Sequence, residues 1–169
     1  MTNQIRIAHE KDLGCLEQIS RQCGEHTGFD TFQEHFALQV KGERELLILS
    51  DETGRDVTMA VLNWKPQYAP FRRLNIPEIQ DIKTIPEARR NGYGEALISW
   101  CEARAKVKGL DMMGLAVGVD ASFGPAQKLY IKMGYEPDGG GLTYEREPVH
   151  AQTLVRVDEN LCLMLVKYL

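Results

Sequence analysis

Two arginines and two glycines close together form the part of this sequence best suited to chemistry. They lie in a segment that reads Arg89, Arg90, Asn91, Gly92, Tyr93, Gly94. The segment follows a predicted strand and opens an amphipathic helix. Glycines let the main chain approach a ligand closely, and the first turn of a helix has free N–H groups at the positive end of its dipole. Because the arginines add countercharge, the sequence predicts a site for a phosphate anion at this junction.

Length, composition and charge are those of one soluble globular domain. The 169 residues, 43% hydrophobic and 26% charged, can bury a real core, and we expect one domain spanning residues 1–169. The net charge of −4 argues against a general binder of nucleic acid or of anionic membranes. It slightly favours a cationic acceptor or an ordinary soluble enzyme.

Cysteine and histidine spacing predicts neither a metal site nor a disulfide framework. The four cysteines lie far apart without a Cys-x-x-Cys pair, so we expect a reducing, cytoplasmic setting. No paired ligand spacing is found among the histidines, which are His9, His26, His35 and His150. No stretch approaches the roughly 18 apolar residues that a membrane helix needs, so we expect no membrane partner.

Hydrophobic periodicity predicts an α/β (α+β) fold. Short apolar or alternating runs predict strands near residues 5–8, 46–49, 57–64, 78–85, 112–119 and 160–166, with a further extended segment from Tyr135. Helical spacing predicts helices near residues 13–23, 31–41, 93–108 and 123–133. The stretch from Lys65 to Pro77 carries three prolines and predicts an irregular surface loop. We therefore expect a mixed, mostly antiparallel sheet of six to seven strands flanked by about four helices.

Two segments together resemble the GNAT superfamily of N-acetyltransferases. The family signature Arg/Gln-x-x-Gly-x-Gly/Ala is matched by Arg89, Gly92 and Gly94, and the family segment xLYxxxGF is matched by residues 128–135, which read KLYIKMGY. The resemblance spans nearly all of the chain. It implies the GNAT fold and transfer of an acetyl group from acetyl-CoA, as co-substrate, directly to a primary amine in a ternary complex.

The resemblance also implies where acetyl-CoA binds. The pyrophosphate is expected on the loop amides, and the pantetheine arm is expected to pair with the preceding strand. The implied residues are Ile82, Lys83, Thr84, Arg89, Arg90, Asn91, Gly92, Tyr93, Gly94 and Glu95. At about 3.3 Å per residue, the steps from Lys83 back to Glu78 cover on the order of 16 Å, so the thioester should arrive near Glu78 to Asp81.

Proton transfer needs an acid and a base. Tyr130 matches the family tyrosine that resembles a general acid toward the departing thiolate; the alternative is a core-facing aromatic. Glu78 falls at the position of a strand glutamate in the histone acetyltransferase branch, with Asp81 and a water relay as alternatives. A bulge in this strand would alter which of the two carboxylates shares a face with its neighbours.

The choice of acceptor rests on two departures from a related branch. Gly118 and Phe123 stand where the ribosomal-protein N-terminal acetyltransferases have a glutamate and an asparagine. These departures argue against a protein N-terminal acetyltransferase. Because nothing in the sequence marks a peptide groove, we expect a small-molecule amine, such as a polyamine, an aminoglycoside or an amino-acid derivative. The alternative functions are a non-catalytic acyl-CoA-binding sensor or regulatory module, or a protein lysine or N-terminal acetyltransferase. Family members are often dimers, so a homodimer is an open alternative.

Overall fold

The computed structural model describes residues 4–24 and 29–169, which contain both strands and helices. The eight strands there are β1 Gln4–Ile7, β2 Arg44–Ser50, β3 Asp56–Asn63, β4 Glu78–Thr84, β5 Met112–Gly118, β6 Glu136–Tyr144, β7 Glu147–Pro148 and β8 Leu161–Tyr168. The five α-helices there are α1 Leu13–Gln22, α2 Phe29–Val40, α3 Ala69–Leu74, α4 Tyr93–Val107 and α5 Gly124–Lys132. The predicted α/β class is confirmed, with one strand and one helix more than expected.

The additional helix, α3, lies in the proline-rich stretch that the sequence predicts as an irregular loop. Pro70 occupies its first turn, where a missing N–H leaves no hydrogen bond unmade. Asn75 ends it in the left-handed conformation, with φ 55° and ψ 39°. The loop prediction was wrong for these residues because a proline that starts a helix has the same local signal as one that breaks a helix.

The additional strand, β7, forms a short hairpin with β6. Tyr144 lies opposite Glu147, so Glu145 and Arg146 are the two turn residues. Both have positive φ, at 50° and 69°. Turns of this kind usually contain Asn-Gly or Asp-Gly. Glu-Arg carries no such signal, so the sequence does not predict where this hairpin turns.

The chain divides into two compact units, and the first contains the described residues up to Lys65 together with Ile79–Arg104. Its strands follow the order β1-β2-β3-β4, and β2 pairs antiparallel with both β1 and β3. Every residue of β2 after Arg44 is buried. Its apolar run, residues 46–49, is typical of a sheet covered on both faces, and Leu16 and Ile19 of α1 are buried as well.

An ion-pair network fastens the start of β3 in the first unit. Arg6 donates from Nη1 to Oδ1 of Asp56 at 2.7 Å and from Nη2 to Oδ2 at 2.8 Å. Ser50 donates to Asp56 Oδ1 at 2.6 Å, and Asp12 accepts from Arg6 at 3.2 Å. These bonds, led by the one from Arg6, hold the pKa of Asp56 well below its usual range.

Helix α4 is anchored to β2 by Arg104 and Glu45. Both Nε and Nη2 of Arg104 donate to the carboxylate of Glu45, which is 8% exposed. The hydrogen bond to Glu45 raises the pKa of Arg104, whose guanidinium also lies 5.3 Å from the ring of Trp100. A two-bond fork of this kind fixes orientation as well as distance. It therefore holds the helix whose first turn carries the predicted anion site.

The second unit contains Pro66–Glu78 and Ala105–Leu169. Its strands follow the order β5-β8-β6-β7, and β8 pairs antiparallel with β5 and β6. One buried cluster in this unit consists of Tyr68, Phe71, Ile76, Met164 and Val166. Tyr68 and Phe71 meet edge to face, with ring centroids 4.9 Å apart. None of the helices in the described ranges is long and apolar enough to cross a membrane.

Candidate functional site

Free backbone amides line the junction between β4 and α4. Helix α4 begins at Tyr93, and the amide of Ala96 donates to the carbonyl of Gly92 at 2.9 Å. Within the described residues, the amides of residues 90–94 donate no hydrogen bond to the protein. The start of a helix of this length also carries the positive end of the dipole. The junction can therefore bind an anion through its main chain.

Two residues of this junction are left-handed: Arg90 has φ 65° and Gly92 has φ 80°. Arg89, which precedes them, is extended. A Cβ built on Gly92 would meet no atom within 4 Å, so the space in front of the glycine is open. This openness fits a bulky anionic ligand such as a diphosphate.

Side chains of the loop hold it from within. Arg89 donates from Nε to the carbonyl of Thr84 at 3.0 Å, and Asn91 donates from Nδ2 to the carbonyls of Ala88 and Arg89 at 3.1 and 3.2 Å. The amide of Ile85 bonds to the carbonyl of Val57 at 3.0 Å, which ties the end of β4 to β3. Arg89 and Arg90 are both exposed, so their charge is available to a ligand on the amides.

Strand β4 is irregular at Asp81, which has φ 52°. This left-handed residue interrupts the strict alternation of side chains between the two faces of the strand. The two carboxylates of the strand have different surroundings. Glu78 is fully buried and Asp81 is exposed, whereas residues 82–84 are half-buried. Thr84 also shares a hydrogen bond of 3.0 Å between its Oγ1 and Oγ1 of Thr58, which fixes the end of the segment predicted to bind pantetheine.

The buried carboxylate of Glu78 is paired with Arg146. Nε of Arg146 donates to Oε1 of Glu78 at 3.0 Å, and Nη2 lies 2.9 Å from the same oxygen. The carboxylate has no exposed surface, while the arginine side chain is 23% exposed. A buried carboxylate requires a paired cation, because leaving it uncompensated costs several kcal/mol, on the order of 3–5. Sequence reasoning missed Arg146, which lies 68 residues from its partner.

Tyr130 lies in α5 and is 8% exposed. Its ring is 6.4 Å from that of Tyr135, and burial raises the pKa of Tyr130 to about 12. Its hydroxyl makes no hydrogen bond within the described residues. The phenol is therefore fully protonated at neutral pH, and its proton is available to a ligand. These features are compatible with the predicted role of proton donor.

Gly118 and Phe123 are packed against each other. A Cβ built on Gly118 would lie 2.3 Å from Cδ2 of the Phe123 ring. Asp120, between them, accepts a hydrogen bond from the amide of Ser122 at 2.7 Å and caps the turn that leads to α5. Apolar packing thus occupies both positions at which the ribosomal-protein N-terminal branch is expected to have polar side chains.

The structure brings the implied cofactor residues together in one continuous stretch. Residues 82–84 end β4, residues 89–92 form the loop, and residues 93–95 begin α4. Glu78 and Asp81 lie on the same strand, and Tyr130 lies on α5. The described residues contain no group of three His, Cys, Asp or Glu side chains that could hold a metal ion, and His26 lies outside those residues.

Three solved structures that share this fold are acetyltransferases. Phosphinothricin acetyltransferase of Sinorhizobium meliloti, in complex with acetyl-CoA, is 19% identical with a TM-score of 0.73, covering 100% of this chain and 89% of its own. Ribosomal-protein-alanine N-acetyltransferase of Brucella melitensis is 16% identical with a TM-score of 0.71 and coverage of 98% and 99%. A spermidine N-acetyltransferase chimera of Vibrio cholerae and hSSAT is 15% identical with a TM-score of 0.70 and coverage of 99% and 96%.

Sequence comparison settles the family. No curated protein matches the chain. The family model described as acetyltransferase (GNAT) domain matches residues 42–137, more than half of the sequence, and includes β4, the amide-lined loop and Tyr130. The resemblance predicted from Arg89, Gly92 and Gly94 is thereby confirmed. This chain belongs to the GNAT family of acetyltransferases.

Proposed function

We propose that this protein transfers an acetyl group from acetyl-CoA to the primary amine of a small molecule. The observation that carries the proposal is the row of amides at residues 90–94, at the start of α4, which donate to no other group in the described part of the chain. A diphosphate has the charge and the acceptor oxygens that such a row binds. The Sinorhizobium meliloti neighbour, whose fold this chain shares, was solved with acetyl-CoA.

The chain's own residues fit coenzyme A in three ways. The amides of residues 90–94 donate to no acceptor among the described residues, Gly92 opens onto free space, and Arg89 and Arg90 are exposed cations. We infer that the diphosphate binds there and that the pantetheine arm runs along Ile82, Lys83 and Thr84. The thioester then reaches the start of β4, and rate enhancement comes mainly from holding it beside the amine.

Tyr130 is the proposed proton donor to the departing thiolate. Burial keeps its phenol protonated, with a pKa of about 12. The developing thiolate is stabilised by a hydrogen bond from this hydroxyl and then takes its proton. Because the hydroxyl makes no other hydrogen bond in the described part of the chain, no protein contact has to break first.

Three routes are proposed for the proton that the acceptor ammonium must lose. Asp81 is exposed and offers a carboxylate near the expected thioester. Oε1 of Glu78 already accepts hydrogen bonds from Arg146, so this oxygen takes a proton only after that ion pair opens. A water relay is the third route. The variants Asp81→Asn and Glu78→Gln separate them, because only loss of the actual base moves the acidic limb of the kcat/KM profile.

A small acceptor agrees better with the packing of Gly118 and Phe123 than a protein N-terminus does. The two polar groups expected of the N-terminal branch are replaced by a glycine and by the ring that fills its space. A polar side chain at position 118 would collide with that ring. The residues that the N-terminal branch is expected to use are therefore absent from these two positions.

Thiol release from acetyl-CoA tests the proposal directly. Purified protein is mixed with acetyl-CoA and a panel of primary amines, including polyamines, aminoglycosides, amino acids and a peptide with a free N-terminus. We expect release of one thiol per acetylated amine with at least one small acceptor. Tight binding of CoA without release for any amine would favour the sensor alternative, and release with the peptide alone would contradict a small acceptor.

A further inference from the structure

Arg146 is the second turn residue of the short hairpin between β6 and β7. The turn residues Glu145 and Arg146 have φ of 50° and 69°, a left-handed region that disfavours side chains other than Gly, Asn and Asp. A two-residue hairpin turn requires positive φ at both residues, so the hairpin fixes the backbone of Arg146. From this position its side chain forms the ion pair with buried Glu78.

The ion pair uses only one side of the guanidinium. Nε and Nη2 of Arg146 both meet Oε1 of Glu78, at 3.0 and 2.9 Å. The guanidinium has five N–H donors in a rigid plane, so donors on Nη1 and a second proton on Nη2 are left over. Within the described residues these donors have no partner, and the side chain is 23% exposed.

This arrangement is typical of a fixed arginine that binds a ligand. A solvated surface arginine is not paired with a carboxylate that has no exposed surface, whereas Arg146 is. Pairing with Glu78 restricts the side-chain conformations of Arg146 before a ligand binds. It occupies one edge of the guanidinium plane, so the donors outside that edge remain for an acid group. Planar N–H donors match a carboxylate in geometry and charge.

We propose that Arg146 binds the carboxylate of the acceptor, so that the acceptor class is small primary amines that also carry a carboxylate, such as amino acids and their derivatives. The proposal rests on the proposed function, because Glu78 begins the strand along which the thioester is expected to arrive. Glu78 then acts as the positioning residue for Arg146. The overall charge of −4 does not oppose this, since charges farther away than about 8–10 Å are screened by salt.

Matched acceptors test the proposal on the unmodified protein. Thiol release is measured with amino acids and with the corresponding carboxamides, which differ only in the acid group. We expect kcat/KM to be at least tenfold higher for the acids, with the difference mainly in KM. Equal use of acids and amides, or a preference for polyamines, would overturn the acid site and leave the proposed acetyl transfer standing.

The variant Arg146→Gln tests the residue. We expect KM for the acid acceptors to rise between about 10-fold and 100-fold, the range for loss of a charge-assisted hydrogen bond, with KM for acetyl-CoA and for the amides unchanged. Arg146→Lys should recover part of the loss. Arg156→Gln, an exposed arginine in the same unit, is the matched control and should behave like the unmodified protein. Retained acid preference in Arg146→Gln would exclude this residue.

A binding experiment distinguishes failure of the carboxylate site at Arg146 from failure of the proposed acetyl transfer. Calorimetric titration with N-acetyl amino acids, the expected products, requires no turnover, and thermal melts show whether each variant is folded. Binding to the unmodified protein that is lost in Arg146→Gln supports the site even if no amine releases thiol. Absence of binding by every N-acetyl amino acid, or equal binding by the folded variant, overturns it.

Discussion

The ring of Phe123 fills the space that a side chain at Gly118 would need, since a Cβ there would lie 2.3 Å from Cδ2 of the ring. We therefore expect Gly118→Ala to lower the free energy of unfolding by about 1–3 kcal/mol, the usual cost of overpacking. Phe123→Ala in the same chain should recover most of that loss because it removes the obstruction. Urea denaturation of the two single variants and the double variant measures the coupling.

Gly14→Ala provides the control for this pair. Gly14 lies in α1, where a Cβ would meet nothing within 4 Å, so alanine should be neutral or stabilise by up to about 1 kcal/mol. Additive effects of Gly118→Ala and Phe123→Ala would contradict the packing described here.

Removing the hydroxyl of Tyr130 should affect turnover and not binding. We expect Tyr130→Phe to reduce kcat on the order of 10²-fold, with the affinity for acetyl-CoA nearly unchanged, because the ring stays and only the proton donor is lost. Stopped-flow thiol release gives kcat, and calorimetry gives the affinity. A variant with normal turnover would remove Tyr130 from the mechanism. Since burial raises the pKa of Tyr130 to about 12, deprotonation of this group should not produce an alkaline limb below about pH 11.

A carboxylate placed in the amide-lined loop should repel the diphosphate. Gly92→Asp puts bulk and negative charge where the amides face open space, so we expect the affinity for coenzyme A to fall by at least tenfold. Asp tolerates the left-handed φ of 80° at modest cost, so the protein should remain folded. Calorimetry with coenzyme A measures the change.

Gly109→Asp is the matched control for the loop. Gly109 has φ 75° and open space around it, as Gly92 does, but it follows the far end of α4. The two variants therefore share the backbone strain and differ in position. Equal loss of coenzyme A affinity in both would show that strain, and not charge beside the phosphates, is responsible.

The local parts of this protein could be predicted from its sequence. The apolar run of β2, the helical stripe of α4 and the two glycines between β4 and α4 are short-range patterns with a direct physical cause. Helix α3 was missed because the position of Pro70 in the first turn depends on where the helix starts. Phe71 of this helix is buried, and that tertiary packing is not visible in the local sequence.

Long-range pairings could not be predicted in this way. Glu78 and Arg146 are 68 residues apart, and Glu45 and Arg104 are 59 residues apart. A charged residue in a strand or helix could pair with many residues of opposite charge elsewhere in the chain. Only the tertiary structure determines which of them becomes its partner. The sequence could therefore indicate Glu78 as a chemical group while giving no sign of the arginine that binds it.

The network around Asp56 should make stability depend on pH in the acid range. The hydrogen bond from Arg6 and the other contacts lower the pKa of folded Asp56 below its value of about 3.9 in an unfolded chain. Stabilisation by this group is therefore fully present above about pH 4–5 and is lost as the pH falls toward the folded pKa.

We expect Asp56→Asn to cost about 2 kcal/mol at neutral pH and progressively less below pH 4, because the unmodified protein loses the same interaction on protonation. Urea denaturation from pH 2 to 7 measures the difference, with the exposed Asp111→Asn as a control that should not change it. If the two stability curves run parallel down to pH 2, Asp56 does not carry the acid sensitivity, and the ion pair with Arg6 contributes nothing that protonation can remove.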